Sequence, residues 1–421
     1  MRICLLSYRG NMYCGGQGVY VYYLGKHLAK MGHEVHLIQG PPYTWDMPGV
    51  TMHHLPNFNF FATRKFFTKF IPAGANLLQL FHPLHFYEFV ATRFGFFPEM
   101  AAFSFRAYRK LVQLSAEKSF DIVHDNQTLA YGLLLIKALG IPVVTTLHHP
   151  LAEDLREDFQ QLPNFNDRFR RALYYPVLMH RQVTPRLDEL VTVSQTAARS
   201  CARAFGIPEE RIRVVYNGVD LETFRPDPAA TKVPRRLIFV GNTEDRKKGI
   251  RYLLEALLLL PKDVTLTVVD GGAPRHLLME ELRRRLNLGD RVQCTGKIPT
   301  AELVKKYHEA EIAVAPSLYE GFGFPAAEAM ACGLPVVSSD GGALPEVVGA
   351  DGKAGLVVPR RNPQALAEAI RKLLKDPALR ERMGRAGRER IEKNFSWDVA
   401  CREMVALYEE AIARRNQRRL A

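Results

Sequence analysis

Residues 316–337 read PSLYEGFGFPAAEAMACGLPVV, and this stretch decides the fold of the chain. The apolar run Ile312–Ala315 before it predicts a strand, and Gly321–Phe324 predicts a glycine-containing loop. Pro325 suits the first position of a helix, where its missing N–H is harmless, and Gly333 suits a helix end. With a second apolar run at Val336–Ser338, the stretch predicts a strand, a loop, a helix and a parallel strand.

The predicted loop Gly321–Phe324 is a candidate anion site. It lies where a parallel strand ends and a helix begins, which is where open α/β sheets bind ligands. Free backbone N–H groups at a helix start hold phosphate oxygens. Gly321 and Gly323 let the backbone approach a ligand closely, because neither residue has a Cβ.

Two carboxylates flank this loop. Glu320 precedes it, and we expect Glu328 in the first turn of the following helix. A carboxylate there can accept hydrogen bonds from both hydroxyls of a ribose. The alternatives are that Glu328 only stabilises the helix dipole and that Glu320 is a solvated loop residue. The strand, the glycine loop and the proline around them favour a functional pair.

Strands and helices alternate along the rest of the chain, which predicts parallel sheets covered by helices on both faces. We therefore predict an α/β fold of two Rossmann-like, doubly wound parallel-sheet domains. The domains are expected at residues 1–215 and 216–396, with a basic helix at 397–421 that packs back on the first domain. The predicted strands of the first domain are Ile3–Ser7, Val35–Ile38, Asp121–Val123, Val143–Leu147 and Leu190–Val193. Those of the second domain are Leu237–Val240, Thr265–Val269, Val292–Thr295, Ile312–Ala315 and Val336–Ser338.

The composition is that of a globular protein with basic character. The 421 residues are 47% hydrophobic and 24% charged, which excludes disorder, collagen-like repeats and coiled coils. A net charge of +13 indicates anionic partners. The basic residues are dispersed and match no nucleic-acid motif, so nucleic acid is not expected. No apolar stretch is long enough to span a membrane, and the six cysteines form no CxxC pair. These features predict a cytoplasmic protein.

Residues 57–108 form an insertion of unusual composition, with 14 of the 24 phenylalanines. Arg64, Lys65 and Lys69 lie among them, as in helices that bind at a membrane surface. The alternative is a helical subdomain in which the phenylalanines form a core of their own. The first interpretation places the protein on the inner face of the plasma membrane, in contact with anionic lipid.

The stretch 316–337 resembles the E-x7-E motif of retaining glycosyltransferases of family 4, which have the GT-B architecture of two domains facing a central cleft. The likeness covers most of the chain. Its other motifs are Cys14-Gly15-Gly16-Gln17-Gly18, Thr146-Leu147-His148, Asn217-Gly218-Val219-Asp220, Phe239-Val240-Gly241, Lys248-Gly249 and Gly341-Gly342-Ala343-Leu344-Pro345-Glu346.

The resemblance implies a role for each motif. Glu328 would hold the ribose of a nucleotide-sugar donor, and Glu320 would contact hydroxyls of the donor sugar. Backbone amides of Phe322, Gly323 and Phe324 would touch the sugar and the diphosphate, and the Gly15-Gly16 loop would close over the diphosphate from the first domain. His148 would lie beside the donor sugar, although its neighbour His149 shares this position.

A diphosphate leaving group needs cationic stabilisation. No two aspartates lie two positions apart, so no D-x-D pair is present to hold a metal ion, and we expect no metal or other cofactor. Lys248 matches the family lysine. The family arginine normally follows the Val-Gly pair, where this chain has Asn242 and a loop one residue longer. Arg246 could replace that arginine or point to solvent.

We therefore expect a retaining, metal-independent glycosyltransferase that moves a sugar from a UDP- or GDP-linked donor to an acceptor hydroxyl. The acceptor would be a glycan, a lipid-linked sugar or another cell-envelope glycoconjugate. A nucleotide-sugar epimerase or phosphorylase is the enzymatic alternative, and a basic membrane-associated binding module is the non-enzymatic one. A dinucleotide-dependent dehydrogenase is excluded, because the glycine spacing differs and Gln39-Gly40 lacks the ribose-binding acid.

Overall fold

The computed structural model describes residues 1–10, 16–57, 81–153, 155, 159, 164–270 and 277–420. The described chain forms two compact units. Unit 1 contains residues 1–193, 197–215 and 401–421, and unit 2 contains residues 194–196 and 216–400. Gly15, Arg64, Lys65 and Lys69 lie outside the described residues.

Unit 1 is built on a seven-stranded sheet in the order β3-β2-β1-β4-β5-β6-β7, with every neighbouring pair parallel. Most of these strands are buried runs of Val, Ile and Leu, as a sheet covered on both faces requires. The strands are β1 Arg2–Ser7, β2 Glu34–Gln39, β3 Val50–His54, β4 Ile122–Asn126, β5 Val143–Leu147, β6 Glu189–Thr192 and β7 Ile212–Val214.

Helices lie between the strands of this first part of the chain. They are α1 Gly16–Lys30, α2 Pro83–Arg93, α3 Glu99–Glu117, α4 Gly132–Ala138, α5 Phe165–Tyr174, α6 Val177–Val183 and α7 Gln195–Phe205. Phe97 and Phe103 of the phenylalanine-rich insertion belong to the main core of unit 1, together with β1 and β4 residues such as Leu6 and Val123. The described phenylalanines therefore do not form a separate core of their own.

Unit 2 is built on a six-stranded parallel sheet in the order β10-β9-β8-β11-β12-β13. The strand order reverses direction between β8 and β11, so a ligand crevice is expected at the carboxyl ends of these two strands. The strands are β8 Arg236–Val240, β9 Thr265–Val269, β10 Val292–Gly296, β11 Ile312–Ala315, β12 Val336–Ser339 and β13 Gly355–Val358.

The remaining helices follow these strands in turn. They are α8 Ile250–Leu258, α9 Leu277–Arg285, α10 Thr300–Glu309, α11 Phe324–Ala331, α12 Leu344–Val348, α13 Pro363–Lys375, α14 Pro377–Asn394 and α15 Trp397–Leu420. Within the described chain, no helix is both long and apolar enough to cross a bilayer. The core of unit 2 is formed by β8, β9 and β11 with α8 and α13.

Some predicted element boundaries differ from those of the structure. Helix α11 begins at Phe324 rather than Pro325, because Gly323 takes a left-handed conformation with φ +99° and caps the helix one residue earlier. Glu328 is consequently the fifth helical residue and not a first-turn acid. Strand β4 runs on to Asn126, beyond the predicted end at Val123. The prediction stopped short because the last three residues of the strand are polar, although they are fully buried.

Candidate functional site

Glu320 and Lys248 form an ion pair at the carboxyl end of β11. The Lys248 Nζ lies 2.8 Å from Glu320 Oε1 and 3.0 Å from Oε2. The Ser317 hydroxyl donates a hydrogen bond of 2.8 Å to the same Oε1. The Lys248 and Glu320 side chains are only 25% and 13% exposed, so the pair is partly shielded from water. Glu320 is therefore not the solvated loop acid of the alternative interpretation.

Gly249 allows the lysine loop to reach this position. The residue has φ +70°, and a Cβ there would collide with the carbonyl oxygen of Pro316. The Leu318 N–H donates to the Lys247 carbonyl oxygen over 2.6 Å, which fixes the two loops side by side. Because the loops touch through their backbones, the Lys248 side chain can reach Glu320.

Gly341 and Gly342 support the same segment from its other side. A Cβ on Gly341 would collide with the backbone of Ser317, and one on Gly342 with the backbone of Glu320. The Ala343 N–H donates to the Glu320 carbonyl oxygen over 2.9 Å. The conformation of Glu320 is thus determined by close backbone packing from two neighbouring loops.

The glycine loop leads directly into α11, where Pro325 has no N–H and the N–H groups of Ala326 and Ala327 both donate to the Gly323 carbonyl oxygen at 3.1 Å. A Cβ on Gly323 would lie 2.8 Å from Leu344 Cδ2, so the loop is packed tightly against α12. The Phe322 side chain is buried between Phe324 and Phe395. This packing orders the loop, and the helix N-terminus beside it carries the positive end of the helix dipole.

Glu328 lies in the same helix and is held by Tyr307. The Tyr307 hydroxyl is 3.2 Å from Glu328 Oε2 and 3.2 Å from the carbonyl oxygen of Pro325, so its single hydrogen is shared between two acceptors. Burial raises the pKa of the Glu328 carboxyl to about 8, although the hydrogen bond from Tyr307 lowers it. The carboxyl is therefore largely protonated at neutral pH. The sequence analysis did not single out Tyr307.

Arg246 begins the short 3-10 turn Arg246–Lys248, which the Asp245 side chain caps by accepting from the Lys247 N–H at 2.9 Å. The Arg246 side chain is exposed, whereas Lys248 two residues later turns toward Glu320. Asn242 accepts from the Glu244 N–H at 3.0 Å and so shapes the longer loop. Of the two candidate cations, Lys248 is the one brought to the carboxylate.

Glu346 is the last residue of the glycine-rich motif that follows the E-x7-E stretch. Its carboxylate forms hydrogen bonds within unit 2. Its carboxylate accepts hydrogen bonds from the backbone N–H groups of Gln195 and Thr196, each at 2.8 Å. The hydroxyls of Thr196 and Tyr216 also donate to it, at 2.6 and 3.0 Å. With four donors on two oxygens, this carboxylate is saturated by the protein itself.

In unit 1, His148 lies at the carboxyl end of β5 and contacts Asn126 at the end of β4. The His148 Nε2 is 2.6 Å from Asn126 Oδ1, and the Tyr20 ring packs edge-on against the imidazole at 4.7 Å between centroids. Burial lowers the pKa of the His148 imidazole to about 3, so the ring is neutral at physiological pH. His149 instead lies 3.9 Å from the Glu153 carboxylate.

Gly16 is the first residue of α1 and is exposed. It was predicted as part of a loop, and helix α1 begins there instead. Its predicted partner Gly15 is outside the described residues. Among the residues that the structure describes, no group of three or more His, Cys, Asp or Glu side chains is arranged to hold a metal ion.

Two family models match the chain. "Glycosyltransferase Family 4" matches residues 14–223, and "Glycosyl transferases group 1" matches residues 220–390. Together the two matches span both units.

Curated relatives agree with these matches over nearly the full chain. An "MMP alpha-(1->4)-mannosyltransferase" of Mycolicibacterium hassiacum is 37% identical, covering 98% of this chain and 99% of the relative. A "D-inositol 3-phosphate glycosyltransferase" of Xylanimonas cellulosilytica is 29% identical, covering 98% and 96%. A "Glycogen synthase" of Mycobacterium tuberculosis is 27% identical, covering 97% and 94%.

Solved structures share the fold. A sucrose-phosphate synthase from Thermosynechococcus elongatus superposes with a TM-score of 0.74 at 24% identity, covering 98% of this chain and all of the other. The Anabaena HepE structure with UDP and glucose has a TM-score of 0.67 at 19% identity, covering 97% and 99%. Two parallel α/β sheets, the site on the second of them and these comparisons together show that the chain is a glycosyltransferase of the group 1/family 4 type with the GT-B fold.

Proposed function

We propose that the protein is a retaining glycosyltransferase that moves a sugar from a nucleoside-diphosphate donor to a hydroxyl of a glycan acceptor, with no metal ion. The observation that carries the proposal is the Lys248–Glu320 pair beside the N-terminus of α11. It combines a cation for the diphosphate with a carboxylate for sugar hydroxyls, at the carboxyl end of a parallel strand.

Each group has a defined task in the proposed reaction. The Lys248 ammonium and the positive end of the α11 dipole stabilise the diphosphate as the bond from the anomeric carbon to its phosphate oxygen breaks and the electron pair stays on that oxygen. The acceptor oxygen bonds to the anomeric carbon on the same face, and its proton passes to the departing phosphate oxygen. Glu320 accepts hydrogen bonds from hydroxyls of the transferred sugar, and Glu328 accepts those of the ribose.

The curated relative from Mycolicibacterium hassiacum supports mannose as the transferred sugar and an α-(1→4) bond as the product. An α bond fits a retaining reaction on a donor in which the sugar is α-linked to the diphosphate. The first donors to test are therefore GDP-mannose and UDP-mannose, with UDP-glucose and GDP-glucose for comparison, and the first acceptors are short α-mannosides.

The experiment measures transfer by the purified protein, with the product anomer assigned by NMR and with EDTA in a parallel reaction. K248A and E320Q are expected to lower kcat by about 100-fold to 1,000-fold, as when one transition-state donor is lost. Matched controls are K353A and E381Q, which change exposed ion-paired residues of the same unit and should leave kcat unchanged.

Each part of the proposal can fail separately. An inverted product contradicts retention, and activity that disappears in EDTA and returns with Mg²⁺ contradicts metal independence. Turnover of the donor to another nucleotide sugar or a sugar phosphate, without any glycosidic product, would support the epimerase or phosphorylase instead.

A further inference from the structure

Asn126 contacts His148 but has no role in the proposed reaction. It ends β4, the residue is 1% exposed, and its amide oxygen lies 2.6 Å from His148 Nε2. Three hydrogen bonds of Asn126 define which nitrogen of the imidazole carries the hydrogen. The inference drawn from them rests on the proposed function, because it concerns how His148 serves that reaction.

The orientation of the Asn126 amide is fixed by its nitrogen. Asn126 Nδ2 donates to the backbone carbonyl oxygen of Gln17 at 3.0 Å and to the Ser7 hydroxyl at 3.1 Å. A carbonyl oxygen can only accept a hydrogen bond, so the atom facing Gln17 must be the NH₂ group. The oxygen of the amide therefore faces His148.

An amide oxygen can likewise only accept. The His148 Nε2 that faces it must carry a hydrogen. Because burial lowers the pKa of His148 to about 3, the ring is neutral and holds one N–H hydrogen in total. The other ring nitrogen, Nδ1, is then a bare acceptor.

The ring is also held in place by its neighbours. The Gln127 amide oxygen accepts the backbone N–H groups of His148 and His149, and its NH₂ group donates to the His149 carbonyl oxygen at 2.7 Å. On the ring face lies Tyr20, whose hydroxyl is 2.9 Å from Thr146 Oγ1. The imidazole thus has a fixed position as well as a fixed orientation.

We propose that Asn126 is a positioning residue that holds His148 in the Nε2–H tautomer, so that Nδ1 accepts a hydrogen bond from a hydroxyl of the bound sugar. With the opposite tautomer, an N–H at Nδ1 would have to donate to that hydroxyl instead, and the hydroxyl could no longer donate to the ring.

The test reads the tautomer directly, by ¹⁵N NMR of the full-length protein labelled at histidine. The His148 signals are assigned by their loss in H148Q. The wild type is expected to show a protonated Nε2 and a bare Nδ1. N126A should lose this preference and show a mixture of tautomers, whereas N126D should keep it, because a carboxylate also accepts from Nε2–H.

The two variants separate positioning from a structural role. Both lose the bonds that Asn126 donates to Ser7 and Gln17, so both share that cost in stability, but only N126A loses the acceptor. Activity is expected to fall about tenfold to 100-fold in N126A and to recover at least partly in N126D. A wild-type ring with its hydrogen on Nδ1, or an N126A variant with the wild-type tautomer, would overturn the inference.

Substrate titrations identify the hydroxyl. If the Nδ1 signal changes with a nucleotide sugar alone, the hydroxyl belongs to the donor. If the signal changes only after an acceptor is added, the hydroxyl belongs to the acceptor. No change with either substrate refutes the contact. The tautomer is read without turnover. A wild-type protein that transfers no sugar would therefore refute the proposed function while leaving the role of Asn126 to the NMR result.

Discussion

Glu328 shows how one half-buried residue can make substrate binding depend on pH. Its pKa of about 8 means that most molecules carry a neutral carboxyl at pH 7. A neutral carboxyl has one hydrogen to donate and cannot accept from two ribose hydroxyls as well as a carboxylate does. Binding of the proposed donor therefore has to be accompanied by loss of this proton.

We predict that donor affinity rises with pH. The ionised fraction of Glu328 grows from about a tenth at pH 7 to about nine tenths at pH 9, so the apparent Kd of a nucleotide sugar should fall about tenfold over that range. Titration calorimetry with a nucleotide sugar measures this change, because the diphosphate of a nucleotide sugar does not titrate in this range. E328Q should bind more weakly with no such rise.

Tyr307 offers a second check on the same residue. Its hydroxyl lowers the pKa of Glu328, so Y307F should move the rise in affinity to higher pH. The pKa of Tyr307 itself is raised well above 10 and that of Cys332 to about 12, so neither neighbour titrates in this range. A wild-type affinity that stays constant from pH 7 to pH 9 would contradict the role given to Glu328.

The raised pKa of Glu328 also makes the stability of the fold depend on pH, with the opposite sign to donor binding. The folded pKa of about 8 lies above the ordinary glutamate value of 4.5, so the folded state holds this proton more tightly than the unfolded chain. The stabilising effect of the proton is complete below about pH 4.5 and is lost as pH rises through the folded pKa. Donor binding and stability should therefore respond to pH with opposite signs between pH 7 and pH 9.

At the scale of elements, glycines bring three loops together around Glu320. Gly249 and Gly342 both have positive φ and both press on the backbone of residues 316–320. Gly352 also has a positive φ, of +74°, but a Cβ there would meet no atom within 4 Å. Gly342 and Gly352 therefore form a matched pair, because both have a positive φ but only Gly342 is crowded by neighbouring backbone.

We predict that G342A destabilises the protein far more than G352A. The open site has only the cost of a left-handed alanine, about 1 kcal/mol, whereas at Gly342 the backbone of Glu320 must also move. Chemical denaturation should give a loss of about 3 kcal/mol or more for G342A. Donor affinity should fall in G342A alone, because Glu320 and Lys248 would separate. Equal effects of the two variants would show that the loops do not need this close packing.

The sequence predicted those elements whose pattern is local. Val143–Leu147, Thr265–Val269 and Ile312–Ala315 match β5, β9 and β11 at both ends, because each is a short run of apolar and β-branched residues. Strand β3 was not predicted, since Val50–His54 is half exposed and carries two histidines. The helices α13 and α14 were not predicted either, although Pro363 and Pro377 are start signals that could have located them.

The sequence predicted the candidate residues that belong to local motifs and missed those whose contacts depend on the fold. Lys248 and Glu320 were found through motifs, and the structure places them together. Asn126 and Tyr307 were missed because each meets its partner only through the sheet or across helices, 22 and 21 residues away in sequence. Polar residues in buried positions, such as the end of β4, are the signal that could have identified Asn126.

For the whole molecule, the distribution of charge and aromatic residues favours contact with an anionic surface. The net charge is +13. The two acids of the phenylalanine-rich insertion are both buried and paired, Glu88 with Arg106 at 2.5 Å and Glu99 with Arg9 at 2.6 Å. Each acid therefore neutralises one arginine, and neither leaves an exposed negative charge on this segment.

Exposed aromatic residues lie on and beside α2. Phe81, Phe86, Phe94 and Phe96 are all exposed, with Phe81 at 83% and Phe94 at 71%. Arg109 lies close by, 3.3 Å from the imidazole of His82, which caps α2. Aromatic side chains beside cations are typical of surfaces that insert into the headgroup region of a bilayer.

We predict that the full-length protein binds vesicles containing anionic lipid and binds neutral vesicles more weakly. Each phenylalanine that leaves water contributes up to about 2 kcal/mol, and each nearby cation about 1 kcal/mol with anionic lipid. The double variant F86S/F94S should therefore bind at least about tenfold more weakly in flotation assays. L258S, which removes an exposed apolar residue of α8 in unit 2, should bind like the wild type. Equal flotation with neutral and anionic vesicles, or equal binding by F86S/F94S and L258S, would contradict a membrane role for this segment and leave glycosyl transfer unaffected.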